Sequence, residues 1–246
     1  MQHPPVMQQK QALDGSSILS RQIFHVSFTN RAFSKIPTNG GYQRLIKNII
    51  VALRSTPIHY KRDNIIFCEG DSSDYILWVA SGVVRSCKTF RDGSRSVAAF
   101  HLPGEFIGWN GDLKHSFATE AATDTMVLFF KKTALLSLAS RDTQIAKFLL
   151  AETINELERA REYSLLITRK SKYRVAAFLT QLSRRAGTSK DLDLHISRQD
   201  IADHLGIRIE TLSRIITAFE RLGIISRVSQ RGLTLQNLRS LMQIVA

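Results

Sequence analysis

Cysteine is scarce in this chain, and long apolar runs are missing. The 246 residues include two cysteines, Cys68 and Cys87, far apart in the sequence. Two thiols cannot hold a four-cysteine iron–sulfur cluster within one chain, and they do not make a disulfide-rich secreted scaffold. No segment approaches the roughly 18 apolar residues that cross a bilayer, and no apolar signal-peptide core follows Met1. These absences predict a reduced, cytoplasmic protein with no membrane partner.

The patterns that carry enzymatic chemistry are also missing. The seven histidines form no His-x-His or His-x3–4-His pair, which argues against a metal-dependent enzyme on a small β-sandwich. No nucleophile–base pair or phosphate-cradling glycine loop is recognisable, and no residues are left over for a catalytic domain. We therefore predict that the protein is not an enzyme and holds neither a metal nor a cofactor. Haem is harder to exclude than an iron–sulfur cluster or a metal ion on these grounds.

Positive charge is in excess, with 34 Lys and Arg against 21 Asp and Glu and a net charge of +13. The bias is strong from Arg169 to Ala246, where 14 basic residues face 6 acidic ones. A domain of this charge attracts phosphate polymers and steers their association. Charge alone would also suit a membrane surface or ribosomal RNA, so the class of partner has to come from a motif.

The length is sufficient for two modest domains. Residues 1–30 are polar, rich in glutamine and without periodicity, which predicts a tail. Residues 31–140 are predicted to form a β-roll domain that begins with a short helix. Short β-rich runs separated by Gly, Asp and Ser predict an antiparallel sandwich or roll; they are residues 64–68, 75–79, 82–85, 96–101, 105–107 and 125–130.

A long helix is predicted over residues 141–168. Small and apolar residues recur along it with alternating spacings of three and four, which is typical of a coiled-coil seam; they are Ala146, Leu150, Thr153, Leu157, Ala160, Ser164 and Ile167. The neighbouring face, with Phe148, Leu149 and Leu165, can pack on the roll. A seam of this length favours a homodimer, although the helix could instead pack only on its own β-roll.

Residues 169–246 are predicted to form a winged helix-turn-helix domain, with the helix-turn-helix at about residues 198–217. Ser197 is a good N-cap, Asp200 suits the first turn, and Gly206 stands where the chain must turn. The second helix has an apolar face of Leu212, Ile215, Ile216, Phe219 and Leu222. Its outward face carries Glu210, Ser213 and Arg214. Such a helix pair reads the major groove of DNA, although charged residues on a lone helix are usually an ordinary solvated face.

The run Ile-Glu-Thr-Leu-Ser-Arg at residues 209–214 resembles the recognition helix of the CRP/FNR family of transcription regulators. It is similar to the FNR and FixK branches, whose signature of Glu, two residues and Ser-Arg is carried by Glu210, Ser213 and Arg214. Ile209 stands where the CRP branch has Arg. The resemblance implies an α+β protein with a cyclic-nucleotide-binding-like roll, a dimerisation helix and a winged helix-turn-helix. It also implies an activator that binds a TTGA-type palindrome in double-stranded DNA as a homodimer and contacts RNA polymerase.

The resemblance implies that the residues that contact DNA bases are Ile209, Glu210, Ser213 and Arg214. Arg214 would bond guanine, Glu210 the pyrimidine or adenine edge opposite, and the other two the outer thymines. Phosphate contacts are expected from residues around the helix-turn-helix and in the wing; they are Ser197, Arg198, Arg208, Thr211, Arg227 and Arg231. Arg208 is a poor N-cap, so no favourable capping residue marks the start of the reading helix.

The roll resembles the family's nucleotide-binding domain at residues 69–71, 81–82 and 104–108, but its pocket departs from the pattern. Trp109, after Gly108, stands where nucleotide-binding members have the Glu that bonds ribose. His115 and Ser116 replace the Arg–Ser pair that holds the cyclic phosphate. Without the permanent cation the strongest charge-assisted bond is lost, so we expect no dependence on cAMP. The alternative is a regulator of the same fold that senses haem-bound nitric oxide or another small effector.

Overall fold

The computed structural model of the protein describes residues 40–109, 111, 113–187, 196–227 and 233–245. The predicted tail at residues 1–30, most of the predicted strand at residues 192–196, the tip of the wing and Arg231 lie outside the described residues. The first described element is helix α1, Gly40–Ala52. It lies within the segment where the sequence predicts a short helix.

The roll consists of two antiparallel four-stranded sheets. Sheet I has the order β1-β8-β3-β6 and sheet II the order β2-β7-β4-β5. Their strands are β1 Pro57–Tyr60, β2 Ile65–Phe67, β3 Tyr75–Ser81, β4 Val84–Thr89, β5 Arg95–His101, β6 Phe106–Ile107, β7 Ala118–Ala121 and β8 Thr125–Lys131. Strands β4 and β5 form a hairpin whose loop contains Gly93 with a positive φ of 81°, at the turn that Asp92-Gly93 predicts.

Strand β3 is buried along nearly its whole length because both faces of sheet I are covered. Ile76 and Trp78 face a core shared with helices α1, α2 (Lys132–Arg141) and α3 (Thr143–Leu166). Leu77 and Val79 face the core between the two sheets. This is why the strand reads as a continuous apolar run instead of an alternating one.

Two strands, β1 and β7, were not predicted from the sequence. Strand β1 has four residues and begins at Pro57, and β7 has the sequence Ala-Thr-Glu-Ala. Neither has the run of aromatic or β-branched residues that marks a strand. Pairing with neighbouring strands stabilises both of them, because β1 pairs along its length with β8, and β7 lies between β2 and β4.

The long helix α3 has an N-cap, because the Asp142 carboxylate accepts a 2.8 Å hydrogen bond from the Gln144 N–H. Phe148 and Leu149 are buried against the roll, as predicted. The same prediction for Leu165 is wrong, because that side chain is 71% exposed while its neighbour Leu166 is buried. A heptad repeat drifts around a helix of 3.6 residues per turn, so the contact face has moved by one residue at the far end.

The remaining helices and strands form the C-terminal domain. They are α4 Ser171–Ala186, α5 Arg198–Leu205, α6 Ile209–Arg221, β9 Ile225–Arg227, β10 Leu233–Leu235 and α7 Leu238–Val245. Strands β9 and β10 pair antiparallel as the predicted wing does. The core of this domain is continuous with Val97 and Phe100 on the outer face of sheet II. The predicted α+β fold of roll, long helix and helix-turn-helix is thereby confirmed.

Candidate nucleic-acid interface

Helices α5 and α6 form the predicted helix-turn-helix. The Ser197 hydroxyl accepts a 3.0 Å hydrogen bond from the Asp200 N–H, which caps α5. Helix α5 ends at Gly206, whose φ of 58° and ψ of 41° lie in the left-handed region. Glycine adopts this conformation without strain because it has no Cβ. Three residues after Leu205 separate the two helices, so α6 is fixed by the position of α5.

Helix α6 begins at Ile209 even though its N-cap is Arg208. The backbone at Arg208 has the extended geometry of an N-cap, with φ −68° and ψ 145°, but its side chain makes no capping hydrogen bond. Burial of Leu212, Ile216 and Phe219 therefore holds the helix without help from its cap. The exposed Arg208 guanidinium stays available for another contact.

The outward face of α6 separates the proposed base-reading residues into two groups. Glu210 and Arg214 are exposed. Ser213 is half-buried, and Ile209 is half-buried with its side chain packed against the domain core. A groove-reading surface of this helix therefore consists mainly of one carboxylate and one guanidinium that lie four residues apart on the same face.

The predicted inward position of Leu222 is wrong, because that side chain is 64% exposed. Helix α6 ends at Arg221, so Leu222 is the C-cap and no longer follows the helical period. Beyond it, the side chain of Arg227 and the whole of Arg231 lie outside the described residues, so the proposed wing contacts have no structural description. Arg198 and Thr211 are half-buried near the starts of α5 and α6.

Ser197, a proposed phosphate contact, uses its hydroxyl within the protein. The Ser197 hydroxyl donates to the Asp200 carboxylate at 2.7 Å and accepts from the Asp200 N–H. A hydroxyl has one proton to donate. A phosphate contact at Ser197 would therefore have to use its backbone N–H or break the bond to Asp200.

The proposed nucleotide-pocket residues line a cavity of about 410 Å³ between the roll, helix α3 and the C-terminal domain, with the exception of Ser116. Gly108, Trp109 and His115 are in its wall, whereas Ser116 is exposed. Trp109 packs on Phe106 with ring centroids 5.8 Å apart. The chain thus places an indole where the resemblance implies a ribose-binding carboxylate.

Both guanidinium groups in the cavity wall bind carboxylates of the protein. Arg185 of α4 contacts Glu105 at 2.7 Å, and Arg159 of α3 contacts Glu156 at 2.6 Å and Glu105 at 3.6 Å. Although burial alone would raise the pKa of Glu105, the two guanidinium groups hold it below its ordinary value. The two cations of the cavity wall are thus both paired with carboxylates of the same protein.

His204, in the last turn of α5, is buried where the C-terminal domain meets the roll. Its Nδ1–H donates to the Val97 carbonyl at 2.9 Å, and its ring stacks on Tyr163 at 4.9 Å. Burial lowers the pKa of His204 to about 4, against the opposing effect of the hydrogen bond to Val97. Burial also lowers the pKa of His101. Both histidines are neutral structural residues at neutral pH.

Folding stability should therefore fall as the pH drops below about 6.5. The unfolded chain takes up protons there, while folded His204 does so only near pH 4. His204 should account for a loss of about 2 kcal/mol between pH 7.5 and pH 5, and His101 adds to it. Urea unfolding at fixed protein concentration measures the slope. His204→Gln should flatten it, and His59→Gln, which removes an exposed histidine, should not. An equal slope in both variants would contradict this assignment.

The two cysteines have different surroundings. Cys68 is half-buried, and Cys87 is buried on β4 with its Sγ 3.4 Å from a guanidinium nitrogen of Arg95. Burial raises the pKa of Cys87 to about 11. Cys87 is therefore a thiol at neutral pH, the less reactive form.

The exposed side of α3 carries an apolar strip. Six of the seven residues of the predicted seam are exposed in the single chain, and Ala146 is half-buried. The most apolar part is Leu150, Ile154 and Leu157, which are 61%, 46% and 49% exposed. Ile154 is not part of the predicted seam, although its spacing of four from Leu150 and three from Leu157 fits the repeat.

The residues that attach the helix-turn-helix to the roll could not be predicted from the sequence. Asp200 is predicted there only as an acid in the first turn of a helix, yet it is 2% exposed and binds Arg85 and Arg95 from sheet II, each at 2.8 Å. These pairs join residues 115 and 105 positions apart. Buried carboxylates need such partners, but nothing in a single sequence identifies which arginine supplies them.

Among the described residues, no group of three or more His, Cys, Asp or Glu is placed to hold a metal ion. No helix in the described ranges combines the length and the apolar character needed to cross a membrane.

Comparison with known proteins matches both halves of the chain to described families. Residues 173–244 match the Crp-like helix-turn-helix domain and residues 57–142 the cyclic nucleotide-binding domain. The nitrogen fixation regulation protein FixK of Azorhizobium caulinodans is 39% identical over 194 residues, which cover 76% of this chain and 78% of that protein. FixK of Rhizobium meliloti is 38% identical over 168 residues, 68% of this chain and 76% of that protein. The structure of FixK2 from Bradyrhizobium japonicum is similar with a TM-score of 0.73 and 36% identity, and the match covers 78% of this chain and 98% of that one.

Proposed function

Because the chain belongs to the CRP/FNR family of transcription regulators, which are not enzymes, we propose that it is a FixK-like activator. It would act in the cytoplasm, bind a TTGA-type palindrome as a homodimer without cAMP, and contact RNA polymerase. The observation that carries the proposal is the exposed pair Glu210 and Arg214 on a helix whose opposite face is buried. This pair points away from its own domain at the place where a helix-turn-helix presents side chains to the major groove.

Each proposed base contact follows from the chemistry of the side chain. The Arg214 guanidinium has two donors for the O6 and N7 of guanine, and the Glu210 carboxylate accepts from the exocyclic amine of the opposite strand. Ser213 and the exposed part of Ile209 suit thymine edges and methyl groups. Arg198, Arg208 and Thr211, near the N-terminal ends of α5 and α6, suit phosphates, which position the protein without reading sequence. The wing arginines Arg227 and Arg231 are proposed for the same role.

The exposed strip of Leu150, Ile154 and Leu157 supports the homodimer. Three large apolar side chains in a row on one helix are a patch that a second copy of the same helix can cover. A two-fold dimer that reads DNA needs its two copies of α6 about 34–36 Å apart, one turn of DNA. A palindrome is the DNA sequence with matching symmetry.

Independence from cAMP is supported by the wall of the cavity. The guanidinium groups of Arg159 and Arg185 are bound to carboxylates, and Trp109 takes the position of the ribose-binding residue. A cyclic phosphate bound there would have to compete with Glu105 and Glu156 for these guanidinium groups. Binding of labelled TTGA-type palindromes at one fixed salt concentration, with and without cAMP, tests the proposal. Equal affinity in both supports it, and a large gain with cAMP overturns the independence.

Arg214→Ala should change sequence preference as well as affinity. We expect a loss of about 1–3 kcal/mol on the TTGA site and almost no further loss when its G·C pair is replaced. Arg221→Ala is the matched control, because Arg221 is an exposed arginine in the last turn of the same helix. Its affinities should keep the wild-type ratio between sites. Competition binding with single-base variants measures both, and an equal loss on every site for Arg214→Ala would contradict the assignment.

Activation is tested by transcription in vitro. A promoter with a TTGA-type palindrome upstream of the polymerase site should give more transcript with bacterial RNA polymerase when the protein is added. The increase should disappear with Arg214→Ala. Less transcript at the same promoter would instead make the protein a repressor.

The cavity favours a second candidate, a regulator of the same fold that responds to a small effector. Its wall includes Phe106, Tyr163 and His204, so a bound molecule would touch the roll, the long helix and the C-terminal domain together. An absorption spectrum of protein purified from cells tests haem, whose Soret band would support this candidate.

A further inference from the structure

We propose that Arg85 and Arg95 are positioning residues for DNA recognition. Their ion pairs with Asp200 fix the angle between the helix-turn-helix and the roll, and this angle sets the spacing of the two half-sites that the dimer binds. The inference rests on the proposed binding of a palindrome by a homodimer. The Asp200 clamp is defined here as Arg85 and Arg95 of sheet II, Glu120 between them, and Asp200 and Asp203 of α5.

The two oxygens of Asp200 are held by different strands. Oδ2 accepts from Arg85 of β4 at 2.8 Å, and Oδ1 accepts from Arg95 of β5 at 2.8 Å. Arg95 also reaches Asp203 at 3.3 Å. Glu120 of β7 binds both guanidinium groups, at 2.8 Å and 3.1 Å. Two planar forks that converge on one carboxylate fix its orientation as well as its distance.

The centre of the clamp is buried, which makes its ion pairs resistant to salt, and their hydrogen bonds make them directional. The side chains of Asp200 and Arg85 are 3% and 8% exposed. Ion pairs in such surroundings are screened much less than surface pairs. The apolar core between the domains is non-directional, so it tolerates rotation that the clamp does not. The angle of the domain is therefore set by the charged contacts.

Helix α5 is held at both ends. The clamp grips its first turn, and His204 in its last turn donates to the Val97 carbonyl of β5. The Tyr163 hydroxyl of the long helix α3 donates to the His204 carbonyl at 2.9 Å. Since Gly206, Ile207 and Arg208 are the whole connection to α6, the reading helix follows α5. A chain of contacts thus runs from the roll and the long helix to Glu210 and Arg214.

The position of α6 relative to the long helix matters because the partner's reading helix is placed by the same contacts. Inserting one base pair between half-sites turns one half-site by about 35°, given 10–10.5 base pairs per turn. A rigidly held pair of reading helices tolerates only one spacing. A loosely held pair follows the DNA and binds several spacings with similar affinity.

The test compares spacing preference in Arg95→Gln and Lys88→Gln. Lys88 is the matched control, because it also lies in the β4–β5 hairpin and pairs with a carboxylate, Glu69, but the pair is on the surface of the roll. Affinity is measured on full-length protein for palindromes with the central spacer unchanged, shortened or lengthened by one or two base pairs. The ratio between spacers does not depend on the fraction of protein that is folded. A merely structural role for the clamp would therefore leave it unchanged.

We expect the wild type and Lys88→Gln to prefer one spacer to the same degree. In Arg95→Gln, the ratio of affinities between the preferred spacer and the others should be about tenfold smaller. Asp203→Asn, at the half-buried edge of the clamp, should lose part of it and serves as the milder variant. A ratio that stays within twofold of wild type in both clamp variants overturns the positioning role. If the wild type itself binds no palindrome at any spacing, the proposed function fails, and that result is distinct from a failure of the clamp.

Discussion

Replacing Arg85 with methionine is expected to lower the free energy of unfolding by about 3–5 kcal/mol, the usual cost of removing one partner from a buried ion pair. The guanidinium of Arg85 binds Asp200, Glu120 and Asp63 at 2.8–2.9 Å, and its own side chain is 8% exposed. Without it, Asp200 keeps Arg95 and Ser197 but loses one of two cations, and Glu120 is left half-paired. Chemical unfolding at a fixed protein concentration near pH 7 measures the change.

A double-mutant cycle of Arg85→Met and Asp200→Asn separates the interaction energy of these two side chains from their interactions with other residues. Because the second substitution removes the charge that Arg85→Met leaves uncompensated, the double variant should be less destabilised than the sum of the two single variants, by about 0.5–3 kcal/mol. Lys88→Gln, which removes one partner of an exposed pair, should cost no more than about 1 kcal/mol. Additive effects of Arg85→Met and Asp200→Asn would show that the two side chains do not stabilise one another.

The free energy of unfolding of Arg85→Met should also depend on pH differently from that of the wild type at acid pH. The neighbouring guanidinium groups and Ser197 hold the pKa of Asp200 below its ordinary value, against the opposite effect of burial. A carboxylate with a lowered pKa contributes stability that is present above about pH 4 and is lost as the pH falls through its folded pKa. Part of that contribution is already gone in the variant.

Local patterns were sufficient to predict the helices and most of the strands. The spacing of Leu212, Ile216 and Phe219 gave the face of α6, and Gly206 gave the turn before it. These signals depend on residues within one or two turns of one another, so a single sequence contains them. The weak strands β1 and β7 lack such a signal, and their pairing is imposed by neighbours far along the chain.

Contacts between the domains could not be predicted for the same reason. The sequence contains many arginines, and Arg85 and Arg95 differ from the rest only in where the fold places them. Asp200 shows the limit clearly, because its role in the first turn of α5 was visible while its two 2.8 Å ion pairs to sheet II were not. The proposed base-reading residues are the opposite case, since they lie within six consecutive residues and form a local pattern.

The apolar strip on α3 is the proposed contact between the two copies of the chain. Leu157→Asp should convert the proposed dimer to a monomer, because the two-fold axis brings two copies of the charge into one apolar contact. Each leucine also forfeits about 1.5–3 kcal/mol of apolar burial. Affinity for the palindrome should fall by about 10²- to 10⁴-fold as the second reading helix loses its effective concentration.

The matched control for Leu157→Asp is Asn155→Asp, which adds the same charge to the same helix. Asn155 is exposed but lies beside the apolar strip, with its amide 3.4 Å from Glu152. Sedimentation measures the oligomeric state of each variant, and binding to DNA with a single half-site measures the affinity of one reading helix. Half-site affinity should be unchanged in both variants, because neither touches α6. If Leu157→Asp stayed dimeric, or lost half-site and palindrome affinity alike, the strip of Leu150, Ile154 and Leu157 would not be the surface that brings two reading helices together.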